Sequence, residues 1–381
     1  MLIGIDGNEA NIEKRVGVNQ YAFELLKNIY KLQEEWKNRH KVIVYLSSSP
    51  QKDLPKENSG WKYKIIPGQK LWVLTKLMPR LLFDKEKPDV FFTPNHYVPP
   101  ISVIPRVCTI HDLGYLEFSG QFKKYDFWQL KYWTAISLYI SKAIIAVSNS
   151  TKGDIVRHYP SVSDKIKVTQ HGYDKSRFNI NISDNDVRRV KNKYAIVGDY
   201  VLFISTLKPS KNIEGLLEAW KLVLKDFPKY QLVIAGKKGW LYESIFKKVK
   251  NLKLESKIIF TDFISEEDKP ALISGAKVFT LPSFWEGFGM DALTSMACGT
   301  PVVVSDIAAL REVTDKAGIF VDPYNVPDIA RGVAKVLLMN ETSYKLLVGK
   351  GMRQAEKFSW EDTARKTIKI LEKVNTSKVG R

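Results

Sequence analysis

Short apolar runs alternate with amphipathic segments along most of the 381-residue chain. Residues 2–5 and "KVIVYLS" predict buried strands, and "NQYAFELLKNIYKL" between them repeats its apolar residues at helical intervals of three and four. The strand-like segments "DVFFTP", "RVCTIHD" and "AIIAVS" follow, separated by helical segments that include "KLWVLTKLMPRLLFDK" and an aromatic-rich helix over 122–142. Strands that alternate with helices indicate a parallel sheet whose strands are joined by crossover helices.

A second series of the same kind begins after a polar stretch, residues 174–199, which we interpret as a linker. Its strands are "YVLFIST", "YQLVIAG", "KIIFTDF", "KVFTLPS", "TPVVVSD" and "AGIFVDP". The sequence therefore predicts an α/β protein of two tandem Rossmann-like doubly wound domains that face a central cleft, with ligands at the carboxyl ends of the strands. We expect the domains to span residues 1–178 and 179–360, and a terminal helix over 361–381 to pack back on the N-terminal domain.

Composition supports two cores, because 44% of the residues are hydrophobic and 12% are aromatic. The 59 Lys and Arg residues exceed the 41 Asp and Glu residues, so the formal charge is +18. This excess favours anionic partners such as phosphorylated metabolites or an acidic membrane face, although scattered lysines also suit a solvated basic surface. No nucleic-acid-binding motif accompanies the lysines, and we expect no nucleic acid among the partners.

The predicted compartment is the cytoplasm. "MLIGID" has the pattern of a strand rather than a secretion leader, and no apolar run reaches the roughly 20 residues of a membrane span. Cys108 and Cys298 lie far apart and lack the spacing of a zinc site or a disulfide framework. The segment "FKKYDFWQLKYWTAISLYISK" mixes lysines with aromatic residues, as helices at membrane interfaces do. Peripheral contact with an anionic inner membrane face is one interpretation, and an ordinary helix packed on the sheet is the other.

The stretch "WEGFGMDALT", residues 285–294, carries the clearest chemical signal. Gly287 and Gly289 lie in a turn from a strand to a helix that begins near Met290, where free backbone N–H groups and the helix dipole favour an anion. Glu286 would repel a phosphate, so we expect it to accept hydrogen bonds from neutral hydroxyls beside the phosphate. A helix cap is the alternative role for this side chain.

The longer segment "LPSFWEGFGMDALTSMACGTPVVVSDIAALREV" resembles the donor-site signature of glycosyltransferase family 4, whose members are retaining transferases of the GT-B fold. Further similar segments, including "TIHDL" and "ISTLKPSKNIEGLLEAW", follow in family order over nearly the whole chain. The resemblance implies transfer of a hexose from a nucleotide-diphosphate sugar to a glycan, lipid or small-molecule acceptor in polysaccharide biosynthesis, without cofactor or metal. The alternatives are a sugar-nucleotide-binding assembly partner with weak or no activity, and an epimerase or phosphorylase of the same fold.

The same resemblance assigns roles to individual residues. Glu286 matches the acid that binds the donor sugar, Lys211 the lysine that neutralises the leaving diphosphate, and His111 the residue near the anomeric carbon. Asp112 either orients the His111 imidazole or caps the following turn. The positions that match donor-binding or nucleotide-binding residues are Gly17, Thr206, Lys208, Phe263, Phe288, Gly289, Met290 and Thr294.

The chain also departs from the family pattern. Thr294 stands where the family usually has a second Glu that binds the ribose, and Thr206 and Ser210 stand where relatives carry an Arg. Lys208 is the remaining candidate for that positive charge. We read "SDND" at 183–186 as a solvated turn rather than a cation site. We expect the departures from the family pattern to bear on affinity, nucleotide choice and activity, but not on the fold.

Overall fold

The computed structural model describes residues 1–36, 39–121 and 124–376. The chain forms two compact units, of which the first comprises Met1–Gly172 and the chain from Ser359 onward, and the second comprises Tyr173–Phe358. The chain therefore leaves the first unit at Gly172 and returns to it at Ser359. The domain limits expected from the sequence are residues 178 and 360.

The elements of the described residues are as follows. The strands are β1 (Leu2–Asp6), β2 (Lys41–Leu46), β3 (Trp61–Ile65), β4 (Val90–Thr93), β5 (Arg106–Ile110), β6 (Ala143–Ala146), β7 (Ile166–Val168), β8 (Tyr200–Ile204), β9 (Gln231–Ala235), β10 (Ile258–Asp262), β11 (Val278–Leu281), β12 (Val302–Ser305) and β13 (Gly318–Val321). The α-helices are α1 (Val18–Lys31), α2 (Gln33–Trp36), α3 (Met78–Phe83), α4 (Gly114–Glu117), α5 (Lys124–Ile140), α6 (Asn149–His158), α7 (Asp184–Lys193), α8 (Ile213–Asp226), α9 (Glu243–Leu252), α10 (Lys269–Ser274), α11 (Met290–Ala297), α12 (Ala308–Thr314), α13 (Val326–Leu337), α14 (Glu341–Ala355) and α15 (Trp360–Thr376).

The first unit contains a seven-stranded sheet in the order β3-β2-β1-β4-β5-β6-β7, and every pairing is parallel. All residues of β4 and β6 are buried, which explains why these strands are continuous apolar runs rather than alternating ones. Helix α15 packs against α1 and also contacts β4 and β6. The last described helix of the chain is thus an integral part of the first unit.

The second unit contains a six-stranded parallel sheet in the order β10-β9-β8-β11-β12-β13. Counted from its own first strand, this is the order 3-2-1-4-5-6 of a doubly wound fold. The amphipathic helices α8 and α13 pack against each other and bury apolar faces that include Trp220, Leu217 and Val333. The prediction of two doubly wound parallel-sheet domains is confirmed.

Two local predictions are wrong. Residues 174–199 are not a linker, because they belong to the second unit and contain α7, and 183–186 is not a solvated turn but the start of that helix. The Ser183 hydroxyl accepts a hydrogen bond from the backbone N–H of Asp186, which is the N-cap arrangement. Strands β3 and β7 were also missing from the prediction, since their partly exposed residues lack a long apolar run.

No helix in the described ranges is long and apolar enough to span a bilayer.

Candidate functional site

Each sheet reverses its strand order beside its own first strand. In the second unit the reversal falls between the paired strands β8 and β11, and in the first unit between β1 and β4. At such a switch point the connections diverge to opposite faces and leave a crevice at the carboxyl ends of the strands, where ligands bind in open α/β sheets. Functional side chains are therefore expected just after these four strands.

The turn after β11 depends on Gly289. This residue has φ of 103°, a left-handed conformation that side chains disfavour, and a Cβ atom there would lie 2.6 Å from Cδ2 of Leu310. Helix α11 begins immediately afterwards at Met290, with Gly289 as an N-cap that has no side chain to satisfy the helix N–H groups. Free N–H groups at a helix start favour an anionic ligand.

Lys211 and Glu286 meet at the switch point of the second unit. Lys211 follows β8 and donates from Nζ to Oε1 of Glu286 at 2.6 Å, while the Ser283 hydroxyl donates to the same oxygen at 2.8 Å. The two side chains are only 12% and 11% exposed. Glu286 is thus held by an ion pair and does not cap α11, so the alternative role of this side chain as a helix cap is excluded. Lys211 keeps further N–H donors and Glu286 a second oxygen for a ligand.

Backbone contacts fix the loops that carry this pair. The backbone N–H of Phe284 donates to the carbonyl of Ser210 at 2.9 Å and so joins the loop after β11 to the loop after β8. Asn212 adopts a left-handed conformation with φ of 52°, and its side-chain amide donates to the carbonyl of Pro323 at 2.6 Å. The ion pair is therefore positioned by a rigid support rather than by flexible loops.

The other predicted donor-site residues of the second unit follow strands of the same sheet. Thr206 and Lys208 lie after β8, and Nζ of Lys208 is 5.1 Å from the ring centroid of Trp240. The Phe288 side chain is buried and packs against the ring of Phe358. Phe263 follows β10, which β9 separates from β8 in the sheet.

Thr294 is buried, and its hydroxyl lies 3.2 Å from the carbonyl oxygens of Met290 and Asp291. The side chain therefore hydrogen-bonds within its own helix. It shares a helix face with Met290 through the four-residue spacing, but its only hydroxyl proton is committed to the backbone.

His111 follows β5 in the first unit. Its Nε2 lies 2.8 Å from the carbonyl oxygen of Pro94, which can only accept, so Nε2 carries the hydrogen. Burial lowers the pKa of the imidazole, which is therefore neutral near pH 7 and offers Nδ1 as an acceptor. Asp112 does not orient this ring, because Oδ1 of Asp112 accepts from the backbone N–H of Gly114 and caps the turn.

Gly17 is the N-cap of α1 and has φ of 51°, while a Cβ atom there would meet nothing within 4 Å. The backbone conformation, not crowding, accounts for this glycine.

Sequence reasoning missed a polar cluster at the switch point of the first unit. Glu9, after β1, accepts hydrogen bonds from the side-chain amides of Asn19 and Asn95, and Asn95 accepts from the Thr93 hydroxyl at 2.7 Å. Asn95 lies two residues beyond β4, so its position at a strand end was an available signal. Ser283 was missed as well, because nothing in the sequence indicates that it contacts Glu286.

Within residues 1–36, 39–121 and 124–376, no group of three or more His, Cys, Asp and Glu side chains is arranged to hold a metal ion.

The two sheets and their connections match solved structures over the full length. The structure is similar to sucrose-phosphate synthase from Thermosynechococcus elongatus, with a TM-score of 0.77, 18% identity and 99% coverage of each chain. It is also similar to HepE from Anabaena, solved in complex with UDP-glucose, with a TM-score of 0.75, 16% identity and coverage of 98% of this chain and 99% of that one. The fold is that of the GT-B glycosyltransferases.

Sequence comparison narrows this class to a family. The family model described as Glycosyltransferase Family 4 matches residues 17–177, and the one described as Glycosyl transferases group 1 matches residues 186–347. The chain is 29% identical over 368 residues to the O-antigen chain mannosyltransferase B of Escherichia coli, covering 92% of this chain and 94% of the relative. The chain belongs to glycosyltransferase family 4 and is a glycosyltransferase.

Proposed function

We propose that this protein is a retaining mannosyltransferase that transfers mannose from a nucleoside-diphosphate sugar to a saccharide acceptor in the synthesis of a cell-surface polysaccharide. The observation that carries the proposal is the largely but not fully buried Lys211–Glu286 pair at a helix start. It offers positive charge for a diphosphate and a carboxylate for the neighbouring sugar hydroxyls. The choice of mannose rests on the similarity to the E. coli mannosyltransferase, and that of a nucleotide donor is supported by the UDP-glucose complex of the similar HepE fold.

In the proposed reaction, the bond between the anomeric carbon and the diphosphate oxygen breaks, and the acceptor hydroxyl oxygen bonds to the same face of that carbon. The acceptor proton passes to the departing diphosphate, so no protein base is required. Negative charge grows on the diphosphate, where Lys211 and the first N–H groups of α11 stabilise it. Glu286 is held by Lys211 and Ser283 and serves to orient the donor sugar rather than to attack it.

Substitution of the ion pair tests the proposal. Lys211→Ala and Glu286→Ala should each lower kcat for mannosyl transfer from GDP-mannose by about 10²-fold or more, since each removes a preorganised charge at the reacting group. Lys229→Ala and Glu255→Ala, at exposed positions of the second unit, are matched controls with unchanged rates. Proton NMR of the product should show the anomeric configuration of the donor. Full turnover in both site variants would refute the site assignment, and an inverted product would refute the mechanism.

A weak or inactive sugar-nucleotide binder is the second candidate, and the internal hydrogen bonding of Thr294 favours it. A thermal-shift screen of UDP-, GDP- and ADP-sugars, run beside product detection, separates the two candidates. Stabilisation by a nucleotide sugar without product on any saccharide would support the binder. Release of a free sugar phosphate or an epimerised sugar without an acceptor would instead indicate a phosphorylase or epimerase.

We also infer that the first unit contacts an anionic membrane surface through α5. Tyr125, Trp128, Tyr132, Ile136 and Tyr139 recur at intervals of three and four and are all exposed, so they form one stripe along the helix. We call these five residues the α5 stripe. Leu138 and other residues of the opposite face pack into the core.

The α5 stripe borders an apolar groove of about 390 Å³, lined also by Leu74, Pro100 and Trp133. Nζ of Lys131 lies 5.0 Å from the ring centroid of Trp128 and so adds positive charge beside the aromatic rings. Aromatic side chains next to lysines suit the headgroup region of an anionic bilayer. A lipid-linked acceptor would be reached at such a surface.

A further inference from the structure

His111 of the first unit lies in a cluster of four rings. The centroid of its imidazole is 4.7 Å from that of Tyr21, which it meets edge-on, and 5.9 Å from that of His171. The His171 ring is also 4.8 Å from that of Tyr21, and it stacks on Trp360 at 5.5 Å and 25°. These separations lie in the range of favourable ring pairs, so the four side chains pack as one group.

The four rings belong to four different elements of the first unit. Tyr21 lies in α1, His111 follows β5, His171 follows β7, and Trp360 begins α15. Tyr21, His171 and Trp360 are buried, whereas the His111 side chain is partly exposed. Because protein interiors are close-packed, the ring of His111 cannot turn unless its buried neighbours also move.

The backbone beside His171 is fixed to the start of α15. The Thr363 hydroxyl donates to the carbonyl of Gln170 at 2.5 Å. On the other side of His171, a Cβ atom at Gly172 would overlap with the backbone of Trp360. The segment that carries the His171 ring therefore has a rigid support.

A hydrogen bond alone does not orient the His111 imidazole. Nε2 lies 2.8 Å from the carbonyl oxygen of Pro94, which fixes one atom of the ring. The direction in which Nδ1 points depends on the plane of the ring, and that plane is set by the contacts with Tyr21 and His171. A side chain that accepts a hydrogen bond from a substrate hydroxyl must be aimed to within about 10–20°, so this packing bears on function.

The cluster is uncharged near neutral pH. Burial holds the pKa of His171 well below its usual range, and the neighbouring His111 lowers it further. Burial also lowers the pKa of His111 and raises that of the Tyr21 hydroxyl to about 12. Two charged imidazoles would repel each other at this separation, whereas two neutral rings can stay in contact. The cluster therefore supports His111 by its shape and not by its charge.

We propose that His171 is a positioning residue for His111, because its ring, stacked on Trp360, fixes the plane of the His111 imidazole and thereby the direction of Nδ1. His171 is only 6% exposed and acts through His111 rather than by touching the substrate. The property that this role requires is a flat ring. The inference rests on the proposed glycosyl transfer, in which Nδ1 of His111 accepts a hydrogen bond from a substrate hydroxyl.

The kinetic test compares His171→Leu with His171→Phe in the full chain, with GDP-mannose as donor and fluorophore-labelled mannotriose as acceptor. Leucine fills most of the volume but removes the flat ring, whereas phenylalanine keeps the ring, and both lose the imidazole nitrogens. We expect kcat to fall about tenfold in His171→Leu and less than about threefold in His171→Phe, since small displacements of a reacting group are costly. The KM for GDP-mannose should change less than about twofold in both variants.

His40→Leu is the matched control. His40 is also buried in the first unit, and its ring centroid is 5.2 Å from that of Trp36, but it lies just before β2 and so at the opposite end of the sheet strands from His111. The substitution removes a buried imidazole that packs on a tryptophan. We expect His40→Leu to melt earlier and to keep kcat. A kcat loss in His40→Leu equal to that in His171→Leu would show that lost stability alone explains the effect, and would overturn the positioning role.

A spectroscopic readout follows the His111 ring without any need for turnover. The chain has five histidines, so their ¹⁵N side-chain signals can be resolved by NMR, and His111→Gln assigns the signals of His111. The wild type and His171→Phe should show His111 as a single tautomer with the hydrogen on Nε2. His171→Leu should show a mixture of the two neutral tautomers, because the ring then leaves its fixed plane.

Failure of this inference is distinguishable from failure of the proposed function. If the wild type transfers mannose, an unchanged kcat in His171→Leu, an equal loss in the Leu and Phe variants, or an unchanged His111 spectrum overturns the positioning role and leaves the transferase intact. If the wild type transfers no sugar, the NMR comparison decides, and an unchanged spectrum in His171→Leu overturns the role. Trp360→Leu removes the other ring of the stack, carries the same expectations and takes the place of His171→Leu if that variant does not fold.

Discussion

At the scale of single residues, Thr294 stands at the position where the family resemblance predicts a second acid. Its hydroxyl donates to the first turn of α11 instead of reaching outward, and the side chain is only 7% exposed. The usual carboxylate at this position would accept hydrogen bonds from a ribose with two charged oxygens, whereas Thr294 offers a single neutral hydroxyl oxygen whose proton is already donated within the helix. Donor affinity should therefore depend more heavily on Lys211 and Glu286.

Placing an acid at position 294 tests how this position affects the affinity for the nucleotide donor. Thr294→Glu should tighten binding of the nucleotide donor about tenfold, since hydrogen bonds to a charged group contribute about 1.5–3 kcal/mol and part of that gain is spent on burying the carboxylate. Isothermal titration with GDP-mannose gives the affinity. Thr342→Glu, at an exposed position of α14, is the control. Unchanged affinity in Thr294→Glu would show that residue 294 does not face the ribose.

At the scale of elements, the sequence predicted the start of α11 correctly because the signal is local. Two glycines precede Met290, and Gly299 and Pro301 follow the helix. The Glu9–Asn95 contact could not be predicted from the sequence, because the two residues are 86 positions apart. They are brought together by a strand pairing that no local pattern encodes. Helix α7 was missed although Ser183 and Asp186 form a cap signal, because Val187 and Val190 are its only apolar residues and are too few to reveal a helical repeat in the sequence.

The turn into α11 should tolerate no side chain at position 289. Gly289→Ala combines an unfavourable positive φ with a contact to Leu310, and we expect a loss of roughly 1–3 kcal/mol in the free energy of unfolding of the second unit. Because the same turn carries the N–H groups at the helix start, kcat should fall as well. Urea unfolding followed by tryptophan fluorescence measures the stability. Gly153→Ala, within α6 and with nothing within 4 Å, should be neutral or stabilising, and equal behaviour of the two variants would contradict the turn's role.

At the scale of the whole molecule, the chain carries a formal charge of +18, and its first unit exposes an aromatic stripe. Tyr125 and Tyr132 are 71% and 60% exposed, which is unusual for side chains of this size in one contiguous row. Sequence reasoning placed the aromatic helix but left its role undecided, because the same residues suit a packed helix. One face of α5 packs in the core and the other is exposed, and contact of the exposed face with a membrane stays a prediction.

Membrane contact predicts a salt-dependent association with lipid. The protein should sediment with vesicles of phosphatidylglycerol and phosphatidylcholine at 20 mM salt and be released at high salt, since screening weakens attraction to the anionic surface. Trp128→Ala combined with Tyr132→Ala should lower the bound fraction about tenfold, because two rings leave the interface. Val197→Ala with Leu338→Ala removes exposed apolar groups from the second unit and is the control. Absence of the wild type from the pellet at low salt would refute the membrane contact.

The return of the chain to its first unit has a consequence for synthesis on the ribosome. Helix α15 packs on α1, yet the whole of the second unit separates the two helices in the sequence. A Cβ atom on Gly172 would lie 2.0 Å from the backbone nitrogen of Trp360, so the chain leaves the first unit and returns to it at adjacent points. Domains generally fold as they emerge, N-terminal first. Here the second unit is contiguous and can fold while the first still waits for residues 360–376. The order of folding during translation should therefore be the reverse of the order in the sequence.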